Sequence, residues 1–185
     1  MTTTIVLNDL TGGYTLDPAH TRIRFLARHT IGPKVRGQFD QFKGGAYLDG
    51  GDPSESSVEL TIQAGSIQTH NRQRDEYLRS KFLNLADHPT ITFTSREVKQ
   101  VGETTFKLTG ALTIRGVTNP ITVNLELTSA EHDPSSDDLS SNLRVHFKGS
   151  ATINRKDWGV NWTAAAGLVS KTVALELDIA AIRQL

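Results

Sequence analysis

The sequence predicts an all-β domain of about eight antiparallel strands. Apolar and polar residues alternate along most of the chain, as in RIRFLARH at residues 22–29. This alternation is typical of strands with one face buried and the other in water. Short turn-like segments such as DGGDPSES at 49–56 separate the alternating runs. Only one segment has the spacing of a helix.

Six runs carry the alternation most clearly, and they lie at residues 21–28, 56–64, 106–114, 121–128, 143–153 and 172–182. Weaker strands are predicted at residues 35–48 and 91–98. Together these segments give the count of about eight strands.

The one predicted helix begins after Thr69. Asn71 is its expected N-cap, and Pro89 is expected to end it. Two ion pairs one turn apart are expected on its surface, and a narrow apolar stripe runs along it. The pairs are Arg72 with Glu76 and Asp75 with Arg79, and the stripe is Leu78, Phe82 and Leu85. A second, shorter turn is predicted at NRKDWG, residues 154–159.

Antiparallel strands in this number pack as a sandwich or close as a barrel, which removes the sheet edges. Glycines within the strands favour closure, because glycine often marks the bend where a sheet curls. They are Gly37, Gly44, Gly110 and Gly149. An eight-stranded barrel has room for its own side chains or for one small ligand. The strand pattern alone leaves these two alternatives open.

Composition limits the function. The 185 residues, 37% of them hydrophobic, fit one domain over 1–185, with residues 1–13 as an N-terminal extension. Lys plus Arg balance Asp plus Glu at 20 each, so we expect no nucleic-acid partner. The lack of cysteine excludes disulfides and thiolate metal sites. With no signal-like or membrane-spanning run, we expect a cytoplasmic protein.

Several phrases, taken in order, resemble the YceI-like family. They are YTLDPAHTRIRF, GQFDQFKG, SIQT followed by RDEYL, HPTITFTS, GALTIRGVTNP, INRKDWGV and a final VALEL, and they cover residues 14–181. Thr21, His88 and Trp158 depart from the usual residues. The resemblance implies an eight-stranded antiparallel lipocalin-like β-barrel with the helix near one end. It also implies a polyisoprenoid-type lipid or quinone as the bound ligand.

The candidate ligand-binding residues are mainly the inward-facing apolar side chains. They are Ile23, Phe25, Phe39, Phe42, Ile62, Leu78, Phe82, Phe93, Phe106, Leu112, Ile114, Val123, Phe147 and Ile153. Residues of this type usually fill a core. With the resemblance, we favour a cavity that holds an elongated apolar chain. His29, Arg155 and Trp158 are the candidates for contact with the polar head of the ligand.

No catalytic or metal site is predicted. His20 and His29 are separated by about 30 Å if the segment is one strand, and their odd spacing places them on opposite faces. Metal-ligand spacings and nucleophile motifs are also lacking. We therefore expect no cofactor and no enzymatic activity.

The favoured hypothesis is a barrel that binds an isoprenoid lipid or quinone for storage, sequestration or transport. One alternative is an enzyme acting on such a substrate, with His29 and Arg155 as polarising groups. Another is a barrel with a packed core that acts only through its surface. We expect no membrane span, and leave open transient membrane contact and homodimer formation.

Overall fold

The computed structural model describes residues 6–29, 34–132, 143–160 and 169–184, which form one antiparallel sheet closed into a barrel. The strands are β1 (Gly12–Leu16), β2 (Arg22–His29), β3 (Val35–Phe39), β4 (Phe42–Leu48), β5 (Ser57–Gln63), β6 (Ile67–Gln68), β7 (Thr90–Gln100), β8 (Thr105–Ile114), β9 (Val117–His132), β10 (Leu143–Asn154) and β11 (Val169–Gln184). Each strand from β7 to β10 pairs with the next one in sequence. This regular order follows from the short connections between successive antiparallel strands.

The eleven strands occupy eight positions around the barrel. β1 and β2 lie one after the other along the same edge of β11, where Leu16 is opposite Ala181 and Arg22 is opposite Asp178. β3 with β4, and β5 with β6, share the next two positions in the same way. The pairing of β1 with β11 closes the circle. The prediction of an eight-stranded antiparallel barrel is confirmed.

The first position is interrupted by a 3-10 turn, Pro18–His20. Asp17 caps this turn by accepting a hydrogen bond from the backbone N–H of Ala19, 3.2 Å away. His20 therefore lies in a turn rather than on the strand that also contains His29, and the assumption of one continuous strand is wrong. The Nδ1 atom of His20 lies 2.8 Å from an Asp17 carboxylate oxygen.

The predicted alternation of faces holds along β2. Ile23, Phe25 and Ala27 face the interior, while Arg22 and Arg24 are exposed. The glycine at position 37 has a further role here, because a Cβ atom there would overlap the ring of Phe25. The ring lies across the glycine on the neighbouring strand, so this glycine permits a close approach as well as a bend.

Helix α1 spans Arg72–Tyr77 and continues as a π-helical turn, Leu78–Phe82. The predicted N-cap is confirmed, since the Asn71 side chain accepts from the Arg74 backbone N–H at 3.0 Å. Arg72 and Glu76 also pair as predicted, at 3.5 Å.

The C-terminus of this helical segment lies earlier than predicted. The segment ends before Asn84, which has a left-handed backbone with φ of 48°. Asparagine adopts this conformation more readily than most residues and commonly follows a helix. Pro89 therefore does not end the helix, and that prediction is wrong.

The predicted ion pair between Asp75 and Arg79 is also wrong. Asp75 is buried and accepts hydrogen bonds from the backbone N–H and the hydroxyl of Thr69. Arg79 instead donates to the backbone carbonyls of Gly65 and Ile67, at 2.8 and 3.1 Å. Both side chains thus attach the helix to the chain that leads into it.

The short turn predicted at 154–159 is confirmed as a 3-10 turn, Arg155–Trp158. The Asn154 side chain caps it, and Gly159 ends it with φ of 71°. This conformation is accessible to glycine without steric cost.

The N-terminal residues are more closely integrated than an extension would be. The N-terminal turn, defined here as the 3-10 turn Leu7–Leu10, packs across one end of the barrel. Leu10 is only 5% exposed, and β1 already begins at Gly12. Within the residues called an N-terminal extension, Leu10 therefore removes its side chain from water against the barrel.

The barrel has two differently covered ends. The helix end is covered by α1 and its π-helical turn, whereas the N-terminal end carries the N-terminal turn and the loop between β4 and β5. Among the residues that the structure describes, no helix is long and apolar enough to cross a membrane.

Candidate ligand-binding cavity

The barrel encloses a cavity of about 360 Å³. Its wall is formed by the inward faces of the strands, together with the helix end and the N-terminal end. Fifteen of the seventeen residues proposed from the sequence line it: Ile23, Phe25, Phe39, Ile62, Leu78, Phe82, Phe93, Phe106, Leu112, Ile114, Val123, Phe147, Ile153, Arg155 and Trp158. The structure thus brings these residues together, and their contact with a ligand remains a prediction.

The other two proposed residues are placed differently. Phe42 packs against the hydrophobic core but does not line the cavity. His29 ends β2 opposite Val169, and its side chain lies outside the described part of the structure.

Aromatic rings meet in pairs within the wall. The ring centroids of Phe25 and Phe39 are 5.8 Å apart, and those of Phe106 and Phe147 are 6.5 Å apart. Both separations lie within the usual range for attractive tilted or edge-to-face pairs. These pairs fix the shape of the cavity by holding large side chains in defined orientations.

The wall is almost entirely apolar. Most polar groups of its lining residues are directed into hydrogen bonds with the protein. Arg155, for example, is 5% exposed and donates from Nη1 to the Val160 carbonyl at 2.7 Å. Burial lowers the pKa of this guanidinium from its ordinary value, since removal from water disfavours the charged form.

Trp158 contributes its ring rather than its polar atom. The side chain is 2% exposed, and its indole N–H donates to the Leu112 carbonyl at 2.9 Å. An indole has only this one donor, so none remains for a ligand head group. The head-group role proposed for Trp158 is therefore replaced by a place in the apolar wall.

Arg74 lines the cavity but was not proposed from the sequence. Its Nε and Nη2 atoms donate to the hydroxyl and the carbonyl of Thr69, each at 2.8 Å. Arg74 and Asp75 thus share Thr69 as a partner. The phrase RDEYL contained both residues, but their convergence on Thr69 depends on the fold.

Other wall residues were missed because the proposed set favoured aromatic side chains. The alternation in 143–153 and 172–182 already pointed to Val145, Val173, Leu175, Leu177 and Ile179, all of which line the cavity. Leu7 and Leu10 also line the cavity, but no comparable alternation marks them in the sequence. Their position depends on a contact between the N-terminal turn and a distant loop.

Among the described residues, no three His, Asp or Glu side chains lie close enough together to hold a metal ion. The cavity can enclose an apolar molecule, but its wall supplies few groups for acid–base chemistry. Its geometry therefore fits ligand binding better than bond-making.

Comparison with known proteins agrees with the barrel and the sequence phrases. The model of the YceI-like domain matches residues 14–181. A UPF0312 protein of Pseudomonas paraeruginosa is 37% identical over 166 residues, covering 89% of this chain and 83% of that protein. One from Pectobacterium carotovorum is 36% identical, covering 89% and 82%.

Solved structures show the same architecture. BcnA of Burkholderia cenocepacia superposes with a TM-score of 0.77 at 18% identity, covering 89% of this chain and 98% of that one. The Campylobacter jejuni YceI protein gives 0.72 at 23%, with coverage of 85% and 90%. A polyisoprenoid-binding domain from Saccharophagus degradans gives 0.66 at 19%, with coverage of 92% and 98%. From the family match over 14–181 and the relatives above 30% identity, the chain belongs to the YceI-like family.

Proposed function

We propose that the protein binds a polyisoprenoid or a similar long-chain isoprenoid lipid or quinone in the barrel cavity, for storage, sequestration or transport. The observation that carries this proposal is a cavity of about 360 Å³ whose wall is almost entirely apolar. Its volume lies within the range of about 300–1,000 Å³ that small-ligand sites usually have.

Removal of the isoprenoid chain from water supplies the driving force. Burial of each CH2 group contributes about 0.8 kcal/mol, so a five-carbon isoprene unit contributes about 4 kcal/mol before the entropic cost of binding. A few units buried against the wall are enough for stable binding. A polar ligand would instead lose its hydrogen bonds to water without replacement.

The comparisons give independent support. The Saccharophagus degradans domain is described as polyisoprenoid-binding, and it shares the barrel architecture at 19% identity. The shared fold makes this ligand class a reasonable choice, and the apolar wall of this chain provides the chemical reason.

The test is native mass spectrometry of the full chain, before and after addition of a prenyl alcohol. We expect one bound molecule per chain, which organic extraction under denaturing conditions releases. Failure to retain or take up any prenyl alcohol or quinone would overturn the proposal and favour a barrel acting through its surface.

A matched pair of variants on β9 locates the binding site. Val123→Phe adds bulk to the cavity wall, whereas Thr122→Phe adds it to the exposed outer face. We expect Val123→Phe to weaken prenyl alcohol binding about tenfold, equivalent to about 1.4 kcal/mol, and Thr122→Phe to leave it unchanged. Equal effects would show that the ligand does not lie in the cavity.

The enzymatic alternative depends on His29 and Arg155. The guanidinium of Arg155 is hydrogen-bonded to a backbone carbonyl, and the side chain of His29 lies outside the described residues. Conversion of a bound isoprenoid or quinone by the purified protein, followed by mass spectrometry of the extracted lipid, would favour this alternative.

A further inference from the structure

The N-terminal turn lies outside residues 14–181, where the family model matches, yet it contributes to the cavity. The side chains of Leu7 and Leu10 line the cavity wall. Leu48, at the end of β4, and Pro53, within the connection between β4 and β5, also line the cavity. These four residues line the N-terminal end of the cavity with apolar groups.

Hydrogen bonds hold the N-terminal turn at three points. The buried Tyr14 hydroxyl donates to the Leu10 carbonyl at 2.7 Å. Arg183, near the end of β11, donates to the Asp9 carbonyl at 2.8 Å. Just beyond the turn, the hydroxyl of Thr11 accepts from the Gly50 backbone N–H at 2.9 Å. The turn is thus tied to β1, β11 and the loop after β4.

Packing at Gly50 is particularly close. A Cβ atom at this position would overlap the carbonyl of Leu7. The loop and the N-terminal turn therefore meet backbone to backbone, leaving no room for a ligand chain between them.

We infer that the N-terminal turn limits the length of the isoprenoid chain that the cavity accepts, with Leu7 and Leu10 as the specificity-determining residues. This inference rests on the proposed function. The opposite end is covered by the helix, whose Leu78 and Phe82 also line the cavity. On this inference, a chain long enough to reach the N-terminal end has to displace the N-terminal turn. Displacement would expose Leu10 to water and break the hydrogen bonds described above.

The experiment compares prenyl alcohols of three, four and nine isoprene units. Their dissociation constants are measured by quenching of tryptophan fluorescence, since Trp158 lies in the wall, and stoichiometry is checked by native mass spectrometry. In the double variant Leu7→Ala/Leu10→Ala, the ratio of the nine-unit to the three-unit dissociation constant is expected to fall about tenfold, equivalent to about 1.4 kcal/mol. The control is Asp9→Ala, because Asp9 lies in the same turn and its contact with Arg183 uses only the backbone carbonyl.

A second variant makes the opposite change, because it enlarges a side chain at the N-terminal end and keeps the buried leucine in place. Leu7 is half-buried, so Leu7→Trp adds bulk at the N-terminal end while retaining Leu10. We expect it to weaken four-unit binding more than three-unit binding. Circular dichroism spectra are used to check that each variant is folded.

The outcomes separate this inference from the proposed function. If all three alcohols bind and none of these substitutions changes the ratio of their dissociation constants, the length limit is overturned and the binding function stands. Absence of binding of all three would overturn both. A ratio that changes in the leucine variants but not in Asp9→Ala would support the inference.

Discussion

The two ends of the barrel are built from different interactions. At the helix end, polar side chains connect the covering helix to the chain before it. The buried Asp75 carboxylate accepts two hydrogen bonds from Thr69, and the half-buried Arg79 donates to two backbone carbonyls. At the N-terminal end, the described residues of the cover are the N-terminal turn, whose buried side chain is Leu10, and the loop between β4 and β5.

The two covers therefore differ in the free energy that is needed to displace them. A buried carboxylate that loses its partners is costly, so the helix cannot move without exposing or orphaning Asp75. The N-terminal turn can move at the cost of one buried leucine and a few hydrogen bonds, of which only the one from the Arg183 guanidinium has a charged donor. Between the two, we therefore expect the N-terminal end to be the more mobile and the helix end to be the fixed base of the cavity.

The largest effect is expected for Asp75→Ala at the helix end. The substitution leaves the buried N–H and hydroxyl of Thr69 without their acceptor, and each such loss costs about 1–3 kcal/mol. We expect the free energy of unfolding to fall by about 3 kcal/mol, measured by urea denaturation.

The control for this prediction is Glu76→Ala, one residue further along the same helix. Glu76 is exposed, and within the described part of the chain its carboxylate pairs with the exposed Arg72 alone, at 3.5 Å, so a loss of at most about 0.5 kcal/mol is expected. Similar losses for the two variants would contradict the view that buried hydrogen bonds hold the helix end.

A smaller effect is expected for Gly50→Ala at the N-terminal end. The added methyl group overlaps the Leu7 carbonyl and displaces the N-terminal turn. A cost of about 2 kcal/mol is expected, the contribution of burying one leucine side chain, because the barrel wall need not change and water can replace the hydrogen bonds of the displaced turn. Faster hydrogen exchange in residues 7–13, with unchanged exchange in β8 and β9, is the expected signature.

Gly51→Ala is the matched control for the loop. A Cβ at Gly51 would approach the side chain of Asn8, 3.1 Å from its Oδ1 atom, and a side chain can move aside. If Gly51→Ala accelerates exchange as much as Gly50→Ala does, the close backbone contact is not what holds the turn.

The barrel was predictable because its signal is local. Each strand carries its own period-two pattern, and inward residues such as Ile23, Phe93 and Leu112 could be assigned from that pattern alone. Fifteen of the seventeen proposed residues consequently line one cavity.

The covers of the two ends were not predictable in this way. The partners of Asp75 and Arg79 are backbone and hydroxyl groups brought together by the entry into the helix, so pairing rules for helix surfaces gave the wrong partner. Leu10 gains its place from Tyr14 and from a loop about forty residues away. Such contacts depend on tertiary structure and leave no periodic trace in the sequence.

The smallest effect, and the one that depends on pH, concerns Tyr14 at the N-terminal end. Its buried hydroxyl donates to the Leu10 carbonyl, so Tyr14→Phe is expected to lower the free energy of unfolding by about 1 kcal/mol at neutral pH. Burial raises the pKa of this phenol, and the nearby Arg183 only partly offsets the rise. The folded state therefore binds the proton more tightly than the unfolded state does.

The sign of the pH dependence follows from this linkage. The stabilisation is fully present below the ordinary tyrosine pKa of about 10 and is lost as the pH rises through the raised pKa of the folded state. Urea denaturation at increasing pH should show the difference between wild type and Tyr14→Phe shrinking above about pH 10. Tyr47→Phe, on an exposed residue of β4, is the control and should show no such trend. If the difference in unfolding free energy between wild type and Tyr14→Phe stays constant into the alkaline range, the Tyr14 proton does not help to hold the N-terminal turn. The turn would then be held by the packing of Leu10, the hydrogen bond from Arg183 and the close contact at Gly50.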